Sequence, residues 1–441
     1  MKMKKKMFWV LGVTLLVLFI ILEIYKNTDL KIEENGMQQE LNRENVVLNY
    51  YTWSTEMDYI PELITAFEGS HKNYKINFHT FNAANEEYYK IIQVMLQSGA
   101  DIDVYGVNSS SFYSQFYSQG FLEPLSSYMK KNNYDLRPYG TISSQINVDG
   151  EYYALPHRKT SWVLYYNKDI FDQAAKPYPV QLSWQGFVDL AYDLTYKRDD
   201  GVMQWGTSGY FISANNDSHF YAAQMGESLI DDELPHYKNG LEILNQIYHT
   251  KQSSLSFAET QKNGSDIARE SFQNGEIAMM VGGDWSISTM LNAKAANKMK
   301  VNFNITYFPI PDGVKKGTTI GTATNTGICS YSRKKDAAFV FLAYLCGKEG
   351  ASIISQKGIL PAYQSTDITQ TYIQVAPEIN LGVIFKSMIK EEMPNEVASS
   401  ALITATKEAT SRYLSQSVNL DEAVDNWNAK RKEIVLYYKT K

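Results

Sequence analysis

Apolar and polar positions alternate along the chain with two periods. Val46 to Trp53 is an apolar strand, and Ile60, Leu63, Ile64 and Phe67 then recur at helical spacing behind Pro61, which suits a first helical turn. Lys75 to Phe81 alternates Ile76 and Phe78 with Asn77 and His79. A helix with Tyr88, Ile91, Ile92, Met95 and Leu96 on one face follows, and then a short strand at Asp103 to Val107. Strand, helix, strand, helix, strand at this spacing predicts parallel pairing through right-handed crossovers. Ligands of such sheets bind beyond the carboxyl ends of the strands, which places Trp53 and Asn108 at the mouth of a site.

The second half keeps the style without repeating the sequence. Ser161 to Asn167 reads as an apolar strand, and Ser183 caps a helix carrying Phe187, Leu190, Ala191 and Leu194. Gly201 to Tyr210 reads as loop and strand, rich in glycine and aromatics. Further strands are expected at Ile277 to Val281, Asn302 to Pro309 and Thr326 to Tyr331, with helices at Leu241 to Tyr248, Ile267 to Phe272 and Asp336 to Leu345. The C-terminal part is mainly helical, with Ala401 to Leu414 and Leu420 to Tyr437 the longest segments. Trp184 and Trp427 lie on amphipathic helices and are assigned to packing.

The N-terminus departs from both periods. Lys2, Lys4, Lys5 and Lys6 precede an apolar run from Phe8 to Leu22 that continues through Glu23, Ile24, Tyr25 and Lys26 without a small-x-small cleavage pattern and without a cysteine for lipidation. Residues 1–26 are therefore read as an uncleaved single-pass anchor with the lysines inside and the rest of the chain outside, a cleaved export signal being the alternative, and the polar residues 27–45 as a linker.

Composition narrows the partners. The 441 residues, 44% hydrophobic and 20% charged, suffice for two or three domains, and a formal charge of −6 argues against nucleic acid. Aromatics make up 13% of the chain, a surplus that suits a neutral ligand held by ring faces. The two cysteines, Cys329 and Cys346, are too few for a disulfide scaffold, and buried thiols are expected over a bridge between them. Six scattered histidines, with no His-Glu-x-x-His, Gly-x-Ser-x-Gly or phosphate-loop spacing, point to no catalytic or metal centre and no cofactor. A glycosidase would need two carboxylates across a sugar, and nothing in the sequence pairs the available Asp284 and Glu56.

Gly150-Glu151-Tyr152-Tyr153-Ala154-Leu155-Pro156, then Leu164-Tyr165-Tyr166-Asn167-Lys168-Asp169-Ile170-Phe171, resembles the signature of the family 1 extracellular solute-binding proteins, the sugar-type receptors of ATP-driven (ABC) importers. Further matches follow in the family's order: Ser183-Trp184, Phe272 to Gly275 with Ala278-Met279-Met280, Gly282-Gly283-Asp284-Trp285, Phe308-Pro309-Ile310-Pro311 and Gly358-Ile359-Leu360-Pro361. The resemblance spans Val46 to about Tyr363. It implies a two-lobed periplasmic-binding-protein-like α/β fold of type II, with parallel-sheet lobes, a multi-segment hinge and a ligand cleft between the lobes. The implied lobes are residues 46–155 plus 310–347 and residues 156–309 plus 348–441, crossing near Leu155, Pro309 and Gly347. The implied partners are a sugar and the importer's permease subunits, the receptor acting as a monomer. A membrane-tethered sensor feeding a kinase is the alternative.

A sugar presents hydroxyl edges and apolar C–H faces, so its site needs aromatic platforms and fixed polar groups. Trp285 follows a Gly-Gly turn at a strand end, where the resembling family places a stacking tryptophan, and Asp284 beside it can accept hydroxyl hydrogens. Thr160 and Trp162 lie where the family's crossing segment faces the cleft. Trp205 and Tyr210 sit in a glycine-punctuated loop, Asn325 closes the loop from Gly321, and Arg158 could meet the carboxylate of an acidic sugar. Trp53 and Asn108 complete the expected ligand-binding set.

Overall fold

A computed structural model describes residues 45–81, 85–107, 109–209, 217–299 and 301–440. Asn108, Tyr210 and the expected anchor lie outside them. The chain divides into two units, residues 1–47 with 68–75 and residues 48–67 with 76–441. Within the first, the Val46 amide donates to the Asn73 carbonyl at 2.8 Å and Lys75 pairs with Glu68 at 2.8 Å.

In chain order the described strands are β1 (Val46–Trp53), β2 (Tyr74–Phe81), β3 (Val104–Val107), β4 (Asn147–Val148), β5 (Glu151–Tyr152), β6 (Leu155–Lys159) and β7 (Trp162–Asn167). They continue as β8 (Tyr196–Lys197), β9 (Met203–Ser208), β10 (Ile277–Gly283), β11 (Phe303–Tyr307), β12 (Thr318–Gly321), β13 (Ala323–Ile328) and β14 (Met388–Glu391). Two five-stranded sheets result, ordered β2-β1-β3-β13-β6 and β11-β7-β10-β9-β8, while β12 and β14 pair by themselves. Each sheet anchors a lobe with its own core. One is built around Tyr88, Tyr105, Tyr113 and Phe116, the other around Tyr165, Trp184, Phe272 and Met279.

The sheets are mixed, which corrects the expectation of parallel lobes. β1 and β3 are parallel, as are β9 and β10, but β13 runs antiparallel to both β3 and β6, and β7 antiparallel to both β10 and β11. The reason is connectivity. β13 enters the first sheet on the way back from the second, so its direction is set by the crossing and not by a local helical crossover. β6 extends the first sheet to Lys159, and Gly321 precedes the return at β13.

Local expectations hold at the elements that position the strands. The Ser183 hydroxyl accepts from the Gly186 amide at the start of the helix Trp184–Asp193, and β10 is buried along its whole length, as an apolar run covered on both faces should be. Trp184 and Trp427 are both buried, the latter stacked on Tyr237 at 3.5 Å between ring centroids. Cys329 and Cys346 are free and buried. Among the described residues no single helix is long and apolar enough to span a membrane.

Candidate functional site

Three chain segments meet at one place. The first is the crossing from β6 to β7 through Thr160 and Ser161, the second runs from β12 to β13 through Thr322, and the third is the stretch that follows β14 at Glu392. Thr160 and Thr322 hold the first two together. The Thr160 amide donates to the Thr322 carbonyl at 2.9 Å, and the Thr322 amide donates to the Thr160 hydroxyl at 2.8 Å. The Glu392 amide donates to the Gly321 carbonyl at 3.2 Å, and the His219 Nε2–H to the Glu392 carbonyl at 2.7 Å, which draws in the third. Short polar residues allow this close approach of backbones, whose own N–H and C=O groups must find partners once buried.

Asp284 and Trp285 stand at the end of β10, in register with the start of β7, where Gly283 lies opposite Trp162. Asp284 is 1% exposed, and its Oδ1 accepts the Ser161 amide at 2.8 Å. Burial pushes its carboxyl up to about 6, against the opposing pull of Arg158, the Ser161 N–H and Lys159. Burial likewise brings the Lys159 ammonium down to about 8, with Asp284 opposing. Trp285 opens the helix Trp285–Ala295, and its ring folds back over Gly283, where a Cβ would come within 1.9 Å of the indole. Trp162 and Trp285 meet edge to face, centroids 5.5 Å apart at 84°, and Trp285 stays half-buried. The Trp162 Nε1–H donates to Glu392 Oε2 at 2.9 Å.

The other residues singled out from the sequence are placed as follows. Trp53 is buried in the first core, edge to face with Tyr88 at 5.6 Å, and Gly106 makes room for it, since a Cβ there would lie 2.7 Å from the indole. Trp205 lies within β9 and not in a loop, opposite Ile277 and half-buried against the second core. Asn325 is on β13 opposite Val107, its Oδ1 buried without a hydrogen-bond partner. The Arg158 Nη1 donates to Glu56 Oε1 at 3.0 Å and to the Tyr59 hydroxyl at 3.3 Å, so this nitrogen serves a carboxylate of the chain itself.

Glu56 is fully buried. His157 Nε2 lies 3.1 Å from its Oε2, and although burial alone would raise its carboxyl, His157 and Arg158 outweigh that and hold it below the ordinary carboxylate range. Glu56 and Asp284 thus each have protein partners. No cluster of ligating side chains suited to a metal occurs among the described residues.

The sequence reading missed Glu392 and Thr322. No period or motif marks Glu392, whose bond to Trp162 closes a separation of 230 residues.

Comparison with known proteins is consistent with this architecture. A family model described as bacterial extracellular solute-binding protein matches residues 51–352. A putative binding protein of Brucella abortus (strain 2308) is 23% identical over 72% of this chain and 76% of its own length. The galactooligosaccharide-binding protein of Bacillus subtilis (strain 168) is 22% identical over 53% of this chain and 54% of its own. Among solved structures, a sugar transporter of Rhizobium etli in an open conformation is 25% identical, covers 88% of this chain and 99% of its own, and superposes with a TM-score of 0.77. An ABC substrate-binding protein of Listeria monocytogenes in complex with cycloalternan is 23% identical, with coverages of 88% and 98% and a TM-score of 0.75.

Proposed function

The chain belongs to the bacterial extracellular solute-binding proteins, and from that premise we propose that it captures an oligosaccharide between its two lobes, outside the cytoplasm, and delivers it to an ABC importer. The observation that carries the sugar reading is the half-buried Trp285 beside Asp284 at the junction of the crossings, an aromatic face next to a carboxylate acceptor. Trp205, Thr160 and Asn325 are the further contacts proposed for the ligand, with Asn108 and Tyr210 beyond the described residues. One relative is named for galactooligosaccharide and another holds cycloalternan, which supports the oligosaccharide reading. Closure follows from contacts made by both lobes at once, because only a ligand with different affinity for the open and closed forms shifts their balance. The sensory alternative rests on the anchor at Phe8 to Tyr25, and the relatives lend it no support. The receptor is proposed to act as a monomer, tethered through that segment.

A thermal-shift panel of galactooligosaccharides, maltooligosaccharides, cycloalternan and their monosaccharides tests the reading. At a hundred times its dissociation constant a ligand stabilises by about 2.7 kcal/mol, which moves the melting point visibly. Oligosaccharides should raise it more than the monosaccharides do. A flat response across the panel would remove the sugar assignment.

A further inference from the structure

Trp162 is 2% exposed and touches Phe308 and Trp285, so apolar packing alone could hold it. The fold nevertheless brings a carboxylate to its indole nitrogen. Glu392 is half-buried, and drawing a carboxylate part-way out of water costs free energy that an apolar neighbour filling the space would not. The carboxylate therefore calls for a role other than filling.

Glu392 has four connections that supply one. Its Oε2 accepts the Trp162 Nε1–H at 2.9 Å, its amide bonds Gly321 of the second crossing, and its carbonyl accepts from His219. It also lines a cavity of about 180 Å³ together with His219, Glu227, Lys390, Glu391 and Pro394. On the other side of Trp162, the Thr319 hydroxyl donates to the Trp162 carbonyl at 2.7 Å, fixing the backbone of the same residue from β12.

We propose that Glu392 is the positioning residue of the sugar platform: by holding the Trp162 indole N–H it sets the edge-to-face angle against which Trp285 presents its ring, and it links that angle to the stretch that follows β14. This rests on the reading of Trp285 as a ligand contact. A shift of the stretch after β14 then rotates Trp162 through its indole. Partial burial pushes the Glu392 carboxyl up from the ordinary carboxylate range, with the Trp162 N–H opposing. The charged and titratable groups around it are Lys390 and Glu391 on its own segment, His219, and Glu227, which is itself bonded to His236.

The test uses the whole chain with E392Q, which keeps an acceptor without charge, and E392L, which removes the acceptor at similar size. Without ligand, the Trp162 indole ¹⁵N–¹H resonance, assigned through W162F, is followed from pH 5.5 to 8.5 (about 7 ± 1.5). It should titrate within that range, above the ordinary carboxylate range, in the native chain, lose that titration in E392Q and move away in E392L. With the oligosaccharide giving the largest thermal shift, E392Q should bind within about threefold of the native chain and E392L about tenfold or more weakly, the size of one lost hydrogen bond to a charged group. Matching pH profiles in the native chain and E392Q, or native affinity in E392L, overturn the proposal. Should no sugar in the panel bind the native chain, the function reading fails and the indole resonance alone decides the positioning role. If E392L does not fold, the comparison with E392Q decides.

Discussion

Asp284 and Ser161 bond each other twice: the Asp284 carboxylate accepts the Ser161 amide at 2.8 Å, and the Asp284 amide donates to the Ser161 carbonyl at 3.0 Å. One residue ends β10 and the other lies in the first crossing, so this clamp fixes the crossing to the second sheet. The folded protein holds the Asp284 proton more tightly than the unfolded chain, raising it from 3.8 to about 6. Folding therefore takes up a proton in that window, and the stability tied to this group falls as pH rises from about 4 to 6 and stays low above it. The cost of the charged form is on the order of 3 kcal/mol at neutral pH. D284N keeps an acceptor for Ser161 without a charge. Denaturant unfolding between about pH 4 and pH 7 should show the native chain losing stability relative to D284N as pH rises. Parallel curves for the two would remove Asp284 as the source.

Gly283 and Trp285 should behave as one unit in mutagenesis. A Cβ at Gly283 would come within 1.9 Å of the Trp285 ring, so G283A must displace the indole. W285A is expected to weaken oligosaccharide binding by about 1–3 kcal/mol, and G283A to reach a similar loss through displacement alone. In the W285A background the added methyl has no ring to strike, and its further effect on affinity should be small, a non-additivity of about 1 kcal/mol or more. Titration calorimetry on the four-variant cycle measures this, and simple additivity would separate the glycine from the platform.

Much of the architecture could be read from local pattern because local pattern causes it. β1 and β10 are apolar runs, and the Ser183 cap acts on its own helix. Direction and register are different, since β13 runs antiparallel because of where the chain has been, and no period within Ala323–Ile328 records that. The site divides in the same way. Gly-Gly-Asp-Trp announces itself at a strand end, whereas Glu392 gains meaning from Trp162, 230 residues earlier. Trp53 was legible as a ring at a strand end, but the Gly106 hollow that takes the ring is formed by another strand.

Arg158 should matter more for stability than for ligand charge. It and His157 share the fully buried Glu56, and removing one partner strands the other charge in the interior. E56A is expected to destabilise by about 3–5 kcal/mol. The Glu56 carboxyl is held below its ordinary 4.5, so its contribution is complete above that value and is lost as pH falls through the lower folded value. R158A should lower stability while leaving the ratio of affinities for neutral and uronic oligosaccharides unchanged. A selective loss of uronic binding in R158A would instead assign its guanidinium to the ligand.

Cys329 and Cys346 offer a check on the core that is independent of any ligand. Both are 1% exposed, and the Cys346 thiol donates to the Leu155 carbonyl at 3.4 Å, next to the strand that leads into the first crossing. Burial pushes both thiols up, further for Cys346, so the reactive thiolate is disfavoured as well as shielded. Chromogenic disulfide reagents should therefore label neither cysteine quickly in the native protein and both after denaturation without reductant. Reaction should proceed by transient opening, which makes its rate a measure of local stability. If Leu155 and the β6 segment move during hinge closure, a saturating oligosaccharide should slow labelling of Cys346 and leave Cys329 unaffected. Equal slowing at both sites would mean that the ligand stabilises the whole lobe and that the crossing has no separate motion.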